Sequence, residues 1–391
     1  MSEPIQQREH RHHAEYRSFF WPVVLIGVGV IWLLVNLNVL TTASLGVLVR
    51  FWPVLLILIG LDIIFARRYA IVGALLGLIT IGLIIVASFF ASQWNLGNGA
   101  NFFGLPVRFY DSSQVKTGQY SEPIGQAKEA TVHMDLTRGH TVVKPLANSS
   151  NLVEANVKYI GDFTFSVQGE ERKTVTLGQT GLSVVTWFTS IRDDDLRWDI
   201  GLSPQVPLNL TISTGSGLNE FDLSQLQLSN LNFEGASGAT TLQLPVTEGR
   251  LPAKVHSASG SFSFSLPARS TADLDFETGS GRVEFTLGEG SDVNLRWNGA
   301  SGSQRLVIGK ETSLDAAMET GSGSVNIDLP TDAAVRLEVT DAGSGGISVP
   351  SWMKRIQGQG KEGIWESAGY ASAQKRITIS LHTGSGSVTI N

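Results

Sequence analysis

A short phrase ending in Ser-Gly, usually Thr-Gly-Ser-Gly or Ala-Ser-Gly, occurs eight times in the second half of the chain. The phrases recur with a nearly constant period of about 21 residues, which is typical of a stacked array of repeats. Only the last gap is about twice as long, and we interpret it as two periods with one phrase overwritten. The glycines that close the phrases are Gly217, Gly238, Gly260, Gly281, Gly302, Gly323, Gly345 and Gly386.

Apolar and polar residues alternate on both sides of each phrase. After Gly281, for example, the apolar residues are Val283, Phe285 and Leu287. Alternation with period two predicts a strand with one buried face. We therefore predict that each repeat is a strand, a tight turn at the glycine, and a second strand. Glycine suits this turn because it adopts positive φ and lets neighbouring layers approach closely.

A second turn lies about halfway between phrases, where proline ends a strand because it cannot donate a hydrogen bond to the ladder. The Leu-Pro pairs that mark it are Leu244-Pro245, Leu266-Pro267 and Leu329-Pro330. Two strands in each period predict a β-solenoid, similar to a parallel β-helix, with a dry apolar interior. An antiparallel sandwich is the alternative, since its strands also alternate.

The first part of the chain has a different character. Three hydrophobic runs, at residues 19–40, 51–66 and 69–91, predict a membrane anchor of three helical spans. The first two runs share a Phe-Trp-Pro-Val phrase near their beginning. Tryptophan prefers the headgroup level and proline is tolerated in a first helical turn, so we predict a membrane-interface position for Trp21, Pro22, Trp52 and Pro53.

Basic residues indicate the orientation of these spans. Arg8, Arg11 and Arg17 precede the first span, and Arg67-Arg68 link the second to the third. Because positive charge is retained on the cytoplasmic side, we predict a cytoplasmic tail at residues 1–18. Three spans then predict a multi-pass protein of the cell membrane with its C-terminal β-domain outside the cytoplasm.

The remaining boundaries follow from composition. Residues 92–126 hold Gly, Asn, Ser and Pro without a sustained period and predict a linker. Residues 127–391 predict the β-domain, in which 127–207 alternate without the Ser-Gly phrase and 208–391 carry it. We interpret 127–207 as an atypical entry cap that covers the first open edge of the array.

Residues 350–373 replace one phrase with aromatic and basic residues. They predict either a hairpin or loop that covers the last repeat, or a contact patch, because such residues are enriched at interfaces. The patch residues are Trp352, Lys354, Arg355 and Trp365.

The chemistry of a catalytic or cofactor site is not apparent. The chain has no cysteine, and its four histidines outside the N-terminal tail have no recurrent carboxylate or nucleophile beside them in sequence. The acidic run Asp193-Asp194-Asp195 lacks the spacing of a calcium loop. We therefore expect no enzyme activity, no cofactor and no metal. Residues 92–391 carry 23 Lys/Arg against 31 Asp/Glu, which argues against nucleic-acid binding.

The doubled Trp-Pro-Val spans resemble the LiaI/LiaF-type transmembrane region of bacterial envelope-stress proteins over roughly residues 18–91. The Ser-Gly array with its Leu-Pro closures resembles the toast-rack, or adhesin-type, β-solenoid over roughly residues 127–391. The chain departs from the first family in having three predicted spans where four are often seen. The resemblance supplies no catalytic residues.

The resemblance implies a membrane-anchored regulator that restrains a sensor kinase of a cell-envelope two-component system. We therefore expect a non-enzymatic accessory of envelope-stress signalling whose β-solenoid senses or scaffolds. The alternative is a surface adhesin or structural scaffold that binds glycan or protein through the solenoid face. Expected partners are membrane lipid, a membrane sensor kinase or another envelope protein, and a second copy of the chain.

Overall fold

A computed structural model describes residues 20–37, 52–65, 75, 77–83, 86, 100–102, 105–110, 114–180, 185–188, 195–247 and 249–391. The chain divides into two compact units. The first unit contains Met1–Ser113 and Leu182–Ile191, and the second contains Gln114–Gly181 and Arg192–Asn391.

The first unit contains two helices, α1 (Phe20–Asn36) and α2 (Trp52–Phe65), within the predicted spans 19–40 and 51–66. Most of the predicted span 69–91 lies outside the described residues. Its longest described stretch, residues 77–83, is helical. No helix in the described part of the chain is long and apolar enough to cross a membrane. Trp21 and Pro22 lie in the first turn of α1, and α2 begins with Trp52 and Pro53.

A three-stranded sheet completes the first unit. Its strands are β1 (Ala100–Phe102), β2 (Leu105–Tyr110) and β9 (Val185–Phe188). β1 and β2 are antiparallel, whereas β9 runs parallel to β2. Residues 92–126 were predicted as linker, but 100–102 and 105–110 are strands. In the described structure β1 pairs only with its neighbour β2, but β2 also pairs with β9, which is distant in the chain and could not be identified from the local sequence.

The second unit is a predominantly β domain with one mixed sheet of 22 strands. The strands before the first Ser-Gly phrase are β3 (Lys116–Pro123), β4 (Glu129–Arg138), β5 (His140–Pro145), β6 (Asn151–Tyr159), β7 (Asp162–Gln168), β8 (Arg172–Thr180) and β10 (Arg197–Leu202). The next are β11 (Leu208–Ser216), β12 (Leu218–Asp222), β13 (Leu228–Gly235), β14 (Ala239–Gln243), β15 (Leu251–Leu266), β16 (Thr271–Leu287) and β17 (Asp292–Ile308). The last are β18 (Ser313–Thr320), β19 (Ser324–Asp328), β20 (Val335–Asp341), β21 (Ile347–Ser348), β22 (Lys354–Gln357), β23 (Gly363–Glu366), β24 (Ile377–Thr383) and β25 (Val388–Ile390).

The central strands stack in parallel, and paired residues lie opposite their equivalents in the next repeat. Phe276 of β16 faces Val255 of β15 on one side and Trp297 of β17 on the other, each one period away in sequence. All three side chains are buried. We use the word rung for one such repeat, which is either a single long strand or two strands flanking a Ser-Gly phrase.

Aromatic residues fill the interior of the central rungs. The rings of Phe264 and Phe285 stack at 4.4 Å, and Phe276 meets Phe285 edge-on at 4.8 Å. Outward-facing positions between them are polar, as the sequence alternation predicts. Burial of these apolar side chains, worth about 25 cal/mol per Å², holds neighbouring rungs together.

The order of the rungs in space differs from their order in the chain. β18 and β19 do not stack on β20 and β21; instead β24 and β25, the last strands of the chain, lie between them. The long last gap between phrases is therefore not two periods with a phrase overwritten, and that interpretation was wrong. It arises because the chain builds the outermost rung first and then returns to fill the space beneath it.

The other end of the array shows the same behaviour. β4 and β5 stack on β11 and β12, although β6 to β10 intervene in sequence. β8 and β10 then pair with the far edges of β4 and β5. The rungs thus follow the spatial order β8/β10, β4/β5, β11/β12, β13/β14, β15, β16, β17, β18/β19, β24/β25, β20/β21.

Antiparallel strands cover both ends. At one end β7 pairs with β8, β6 with β10, and β3 with β6. At the other end β23 pairs with β20, and β22 with β23. The strand β3 again lies inside the predicted linker. Its weak alternation is that of an edge strand, which only its pairing with β6 reveals.

Candidate interaction surfaces

The eight phrase glycines form a single column across the rungs. A Cβ added to each would overlap the carbonyl oxygen of the glycine one rung away, as with Gly281 against Gly260. Gly217, Gly238, Gly260, Gly281 and Gly302 adopt positive φ, whereas Gly323, Gly345 and Gly386 lie outside that region. Close backbone approach is therefore common to all eight positions.

The predicted tight turn at each glycine needs a correction. β15, β16 and β17 each run without a break through their phrase, and Gly260 pairs with Gly281 in the ladder. In the other rungs the phrase separates two strands. In β15, β16 and β17 the phrase is therefore part of the hydrogen-bonded ladder rather than a free turn.

Sequence reasoning missed one member of the column. Gly139, between β4 and β5, has φ of 119° and its carbonyl oxygen lies where a Cβ of Gly217 would be. It is flanked by Arg138 and His140 instead of serine, so the Ser-Gly phrase did not mark it. The isolated glycine between two alternating segments was the available signal.

Residues 350–373 form the antiparallel hairpin β22–β23 followed by a short 3₁₀ turn at Tyr370–Ser372. The hairpin covers the outer edge of β20. This part of the segment thus agrees with the prediction of a hairpin that covers the last repeat. Lys361 Nζ donates to the carbonyl oxygens of Ser344 and Gly345 beside β21. The hairpin thereby satisfies backbone acceptors at the open end of the array.

The four patch residues do not share one environment. Trp365 is only 7% exposed and belongs to the core, and the guanidinium of Arg355 lies 4.5 Å from the centre of its ring. Trp365 is thus not part of an exposed patch, because it seals the core beneath β22. Lys354, Arg355 and Trp352 remain exposed, with Trp352 at 45%.

Ile356, which sequence reasoning did not single out, joins them. The register between β22 and β23 shifts at this residue, and its side chain is 55% exposed. Such bulges commonly redirect a side chain at a sheet edge. We define the hairpin patch as Trp352, Lys354, Arg355, Ile356 and Lys361.

A second surface follows one outward column of the array. His256 Nδ1 lies 3.2 Å from Glu277 Oε2 on the next rung, and His382 lies opposite Glu319 and 4.0 Å from Asp341. The local sequence could not reveal these carboxylates, because they lie on other rungs, far away in sequence. A groove of about 580 Å³ runs along this column over Gly279, Gly299 and Gly321, among others.

The carboxylate of Asp328 accepts hydrogen bonds from two other side chains. Asn391 Nδ2 donates to Asp328 Oδ1 at 3.0 Å, and Arg305 Nε donates to Asp328 Oδ2 at 2.8 Å. The hydrogen bond from the Asn391 amide is the largest cause of a lowered pKa at Asp328, and Arg305 lowers the pKa further. Burial of the carboxylate acts in the opposite direction.

Groups of three or more potential metal ligands are absent from the described part of the chain. Asp193 and Asp194 of the acidic run lie outside it, as does the predicted N-terminal tail 1–18.

Comparison with known proteins gives two family matches. Residues 19–64 match the LiaI-LiaF-like transmembrane region, and residues 111–257 match the N-terminal domain of toast_rack. Both parts of the resemblance found in the sequence are thus confirmed, and the first indicates a membrane protein. Neither matching family describes an enzyme.

Two solved structures are similar to part of this chain. One is "a putative cell adhesion protein" from Clostridium sporogenes, with 14% identity and a TM-score of 0.28, covering 71% of this chain and 98% of that one. The other is "a putative adhesin" from Bacteroides fragilis, with 10% identity and a TM-score of 0.34, covering 72% of this chain and all of that one. A search of curated protein sequences finds no significant match.

Proposed function

Because the chain joins a LiaI-LiaF-like transmembrane region to an N-terminal toast_rack domain, we propose that it is a non-enzymatic, membrane-anchored accessory of cell-envelope stress signalling. The joined architecture is the observation that carries the proposal. In it, three spans hold the chain in the membrane with the N-terminus in the cytoplasm, and the helices contact a membrane sensor kinase.

The β-domain serves as the sensing or scaffolding module. The parallel rungs, each offset from the next by one sequence period, support its description as a β-solenoid. A stacked array is expected to be stiff along its axis because each central rung is hydrogen-bonded to a neighbouring rung on both sides. Such a body can present a fixed surface to a partner.

Deletion of the coding sequence tests this role. We expect transcription from an envelope-stress promoter to change in the deletion strain, with and without a wall-active antibiotic, and to recover when the full chain is restored. A restored chain with Ile379→Asp, which introduces a charge into the buried face of β24, should fail to complement. Unchanged transcription in the deletion strain under both conditions would contradict the proposal.

A surface adhesin or scaffold is the second candidate. It is supported by an open groove of about 460 Å³ whose lining includes Lys254, Asp275, Asn294 and Arg296, groups that could hydrogen-bond a glycan or a protein. For this role we expect cell-wall polymer to retain the detergent-solubilised chain. The double substitution Asn294→Leu with Arg296→Leu should reduce that retention. Absence of retention would count against it.

A further inference from the structure

Charge is distributed unevenly along the second unit. Residues 346–391 carry five Lys/Arg and two Asp/Glu, whereas the rest of the chain carries 24 Lys/Arg and 33 Asp/Glu. Glu366, one of the two acidic residues, already pairs with Arg336 at 2.9 Å. The segment that contains the hairpin is therefore basic on an otherwise acidic chain.

The cations of the hairpin patch have no acidic partner among the described residues. Arg355 donates to the carbonyl oxygen of Gly360 at 2.6 Å, and Lys361 donates to those of Ser344 and Gly345. Hydrogen bonds to neutral carbonyls hold Arg355 and Lys361 in place without pairing either of them with a carboxylate. Such an arrangement favours an anionic partner.

Two exposed apolar side chains accompany these cations. In the described part of the second unit, the large hydrophobic residues that are exposed are Leu218, Val246, Trp352 and Ile356. Trp352 and Ile356 lie close together in sequence, on either side of Lys354 and Arg355. Tryptophan and an aliphatic residue beside lysine and arginine are the combination that settles at the headgroup level of a bilayer.

We propose that the hairpin patch docks on an anionic lipid surface, with Trp352 and Ile356 entering the headgroup layer and Lys354, Arg355 and Lys361 facing lipid phosphates. A soluble polyanion would use the cations and leave the two apolar side chains in water, so lipid accounts for more of the patch. The match to a transmembrane region also means that the chain is already held at a membrane. A tethered domain needs only a weak second contact to remain docked.

The absence of cysteine makes the test direct. Ile356→Cys and the matched control Val246→Cys, at 55% and 57% exposure, are each labelled with a fluorophore in the full chain. The proteins are reconstituted into vesicles of phosphatidylcholine with phosphatidylglycerol or of phosphatidylcholine alone. Lipids carrying a nitroxide near the headgroup then report contact by quenching the fluorophore.

We expect quenching at Ile356 in vesicles with phosphatidylglycerol, reduced several-fold by high salt, by phosphatidylcholine alone and by Lys354→Glu. The Val246 label should change little among these conditions. The proposal is overturned by equal quenching at both positions, or by quenching at Ile356 that is indifferent to charge. It is also overturned by a label at Ile356 that is shielded even in detergent, which would show that protein covers the patch.

Gln357→Cys provides a second labelled position on the same exposed strand, in case the label at Ile356 disturbs the hairpin. The same dependence on anionic lipid is expected there. The result does not depend on the signalling role, which the transcription experiment tests separately.

Discussion

At the scale of single residues, the positions of the column glycines could be predicted from the sequence better than their backbone conformations. Periodicity located all eight phrase glycines, because each must approach its neighbour in the stack more closely than a Cβ allows. Their positive φ was predicted for all and holds for five. The sequence could not separate the two requirements, since both are met by glycine alone.

Gly281→Ala should lower the stability of the β-domain by more than about 2 kcal/mol, because the new Cβ meets the backbone of Gly260 at φ of 145°. Gly249→Ala is the matched control, since nothing lies within 4 Å of its added Cβ. The measurement is thermal unfolding of the full chain in detergent, followed by the circular dichroism of strands. Equal melting temperatures for the two variants would show that the column tolerates a side chain.

Asp328 should contribute stability that depends on pH. Its pKa is lower in the folded state than in the unfolded chain, so the contribution is present above the ordinary carboxyl pKa and is lost as pH falls through the folded value. Asp328→Asn should therefore melt below the wild type at pH 7, with the difference shrinking below about pH 4. Asp315→Asn, at an exposed position of β18, is the control. A difference that is constant from neutral to acidic pH would contradict this account.

At the scale of strands, the sequence predicted the alternating pattern of each repeat better than the position of that repeat in the stack. Val283, Phe285 and Leu287 alternate as a strand with one buried face must, and β16 buries all three. The neighbours of a rung are not encoded in this pattern, because the interior of each rung is apolar and would fit against several others. The placement of β24 beneath β20 thus depends on the length and folding of residues 350–373.

Hydrogen exchange should distinguish the observed order of rungs from the order of the chain. We expect amides of β24 to exchange as slowly as those of β17, because both strands are paired on two sides, although β24 lies near the end of the chain. Amides of β22, which pairs on one side in the described structure, should exchange much faster. Rapid exchange throughout residues 377–390 would indicate that the last strands fray from the array's end.

At the scale of the whole molecule, composition and repeats separated a hydrophobic first part from a β-rich second part, and family matches agree with both. The boundary was less accurate, because residues 100–110 and 116–123 include strands whose partners are distant in sequence. Only some residues of the hairpin patch were predicted from the sequence. Trp352, Lys354 and Arg355 are exposed, but the burial of Trp365 and the exposure of Ile356 depend on strand register, which local composition does not report.

The proposed orientation predicts which side of the membrane carries the β-domain. A protease added to intact cells stripped of their outer barrier should cleave Arg and Lys sites in residues 114–391, and lysed cells provide the control. Protection until lysis would place the β-domain in the cytoplasm. That result would exclude the adhesin role and leave an intracellular regulatory role.

The position of β24 and β25 has a consequence for synthesis of the chain. Translation delivers residues in order, so the outermost rung and its hairpin emerge before the strands that belong beneath them. Until residues 388–391 leave the ribosome, β19 and β21 lack their common neighbour, and Asp328 lacks the amide of Asn391. A product that stops before residue 377 therefore displays two unpaired strand edges in mid-array. The array is therefore closed only after residues 377–390 have been synthesised.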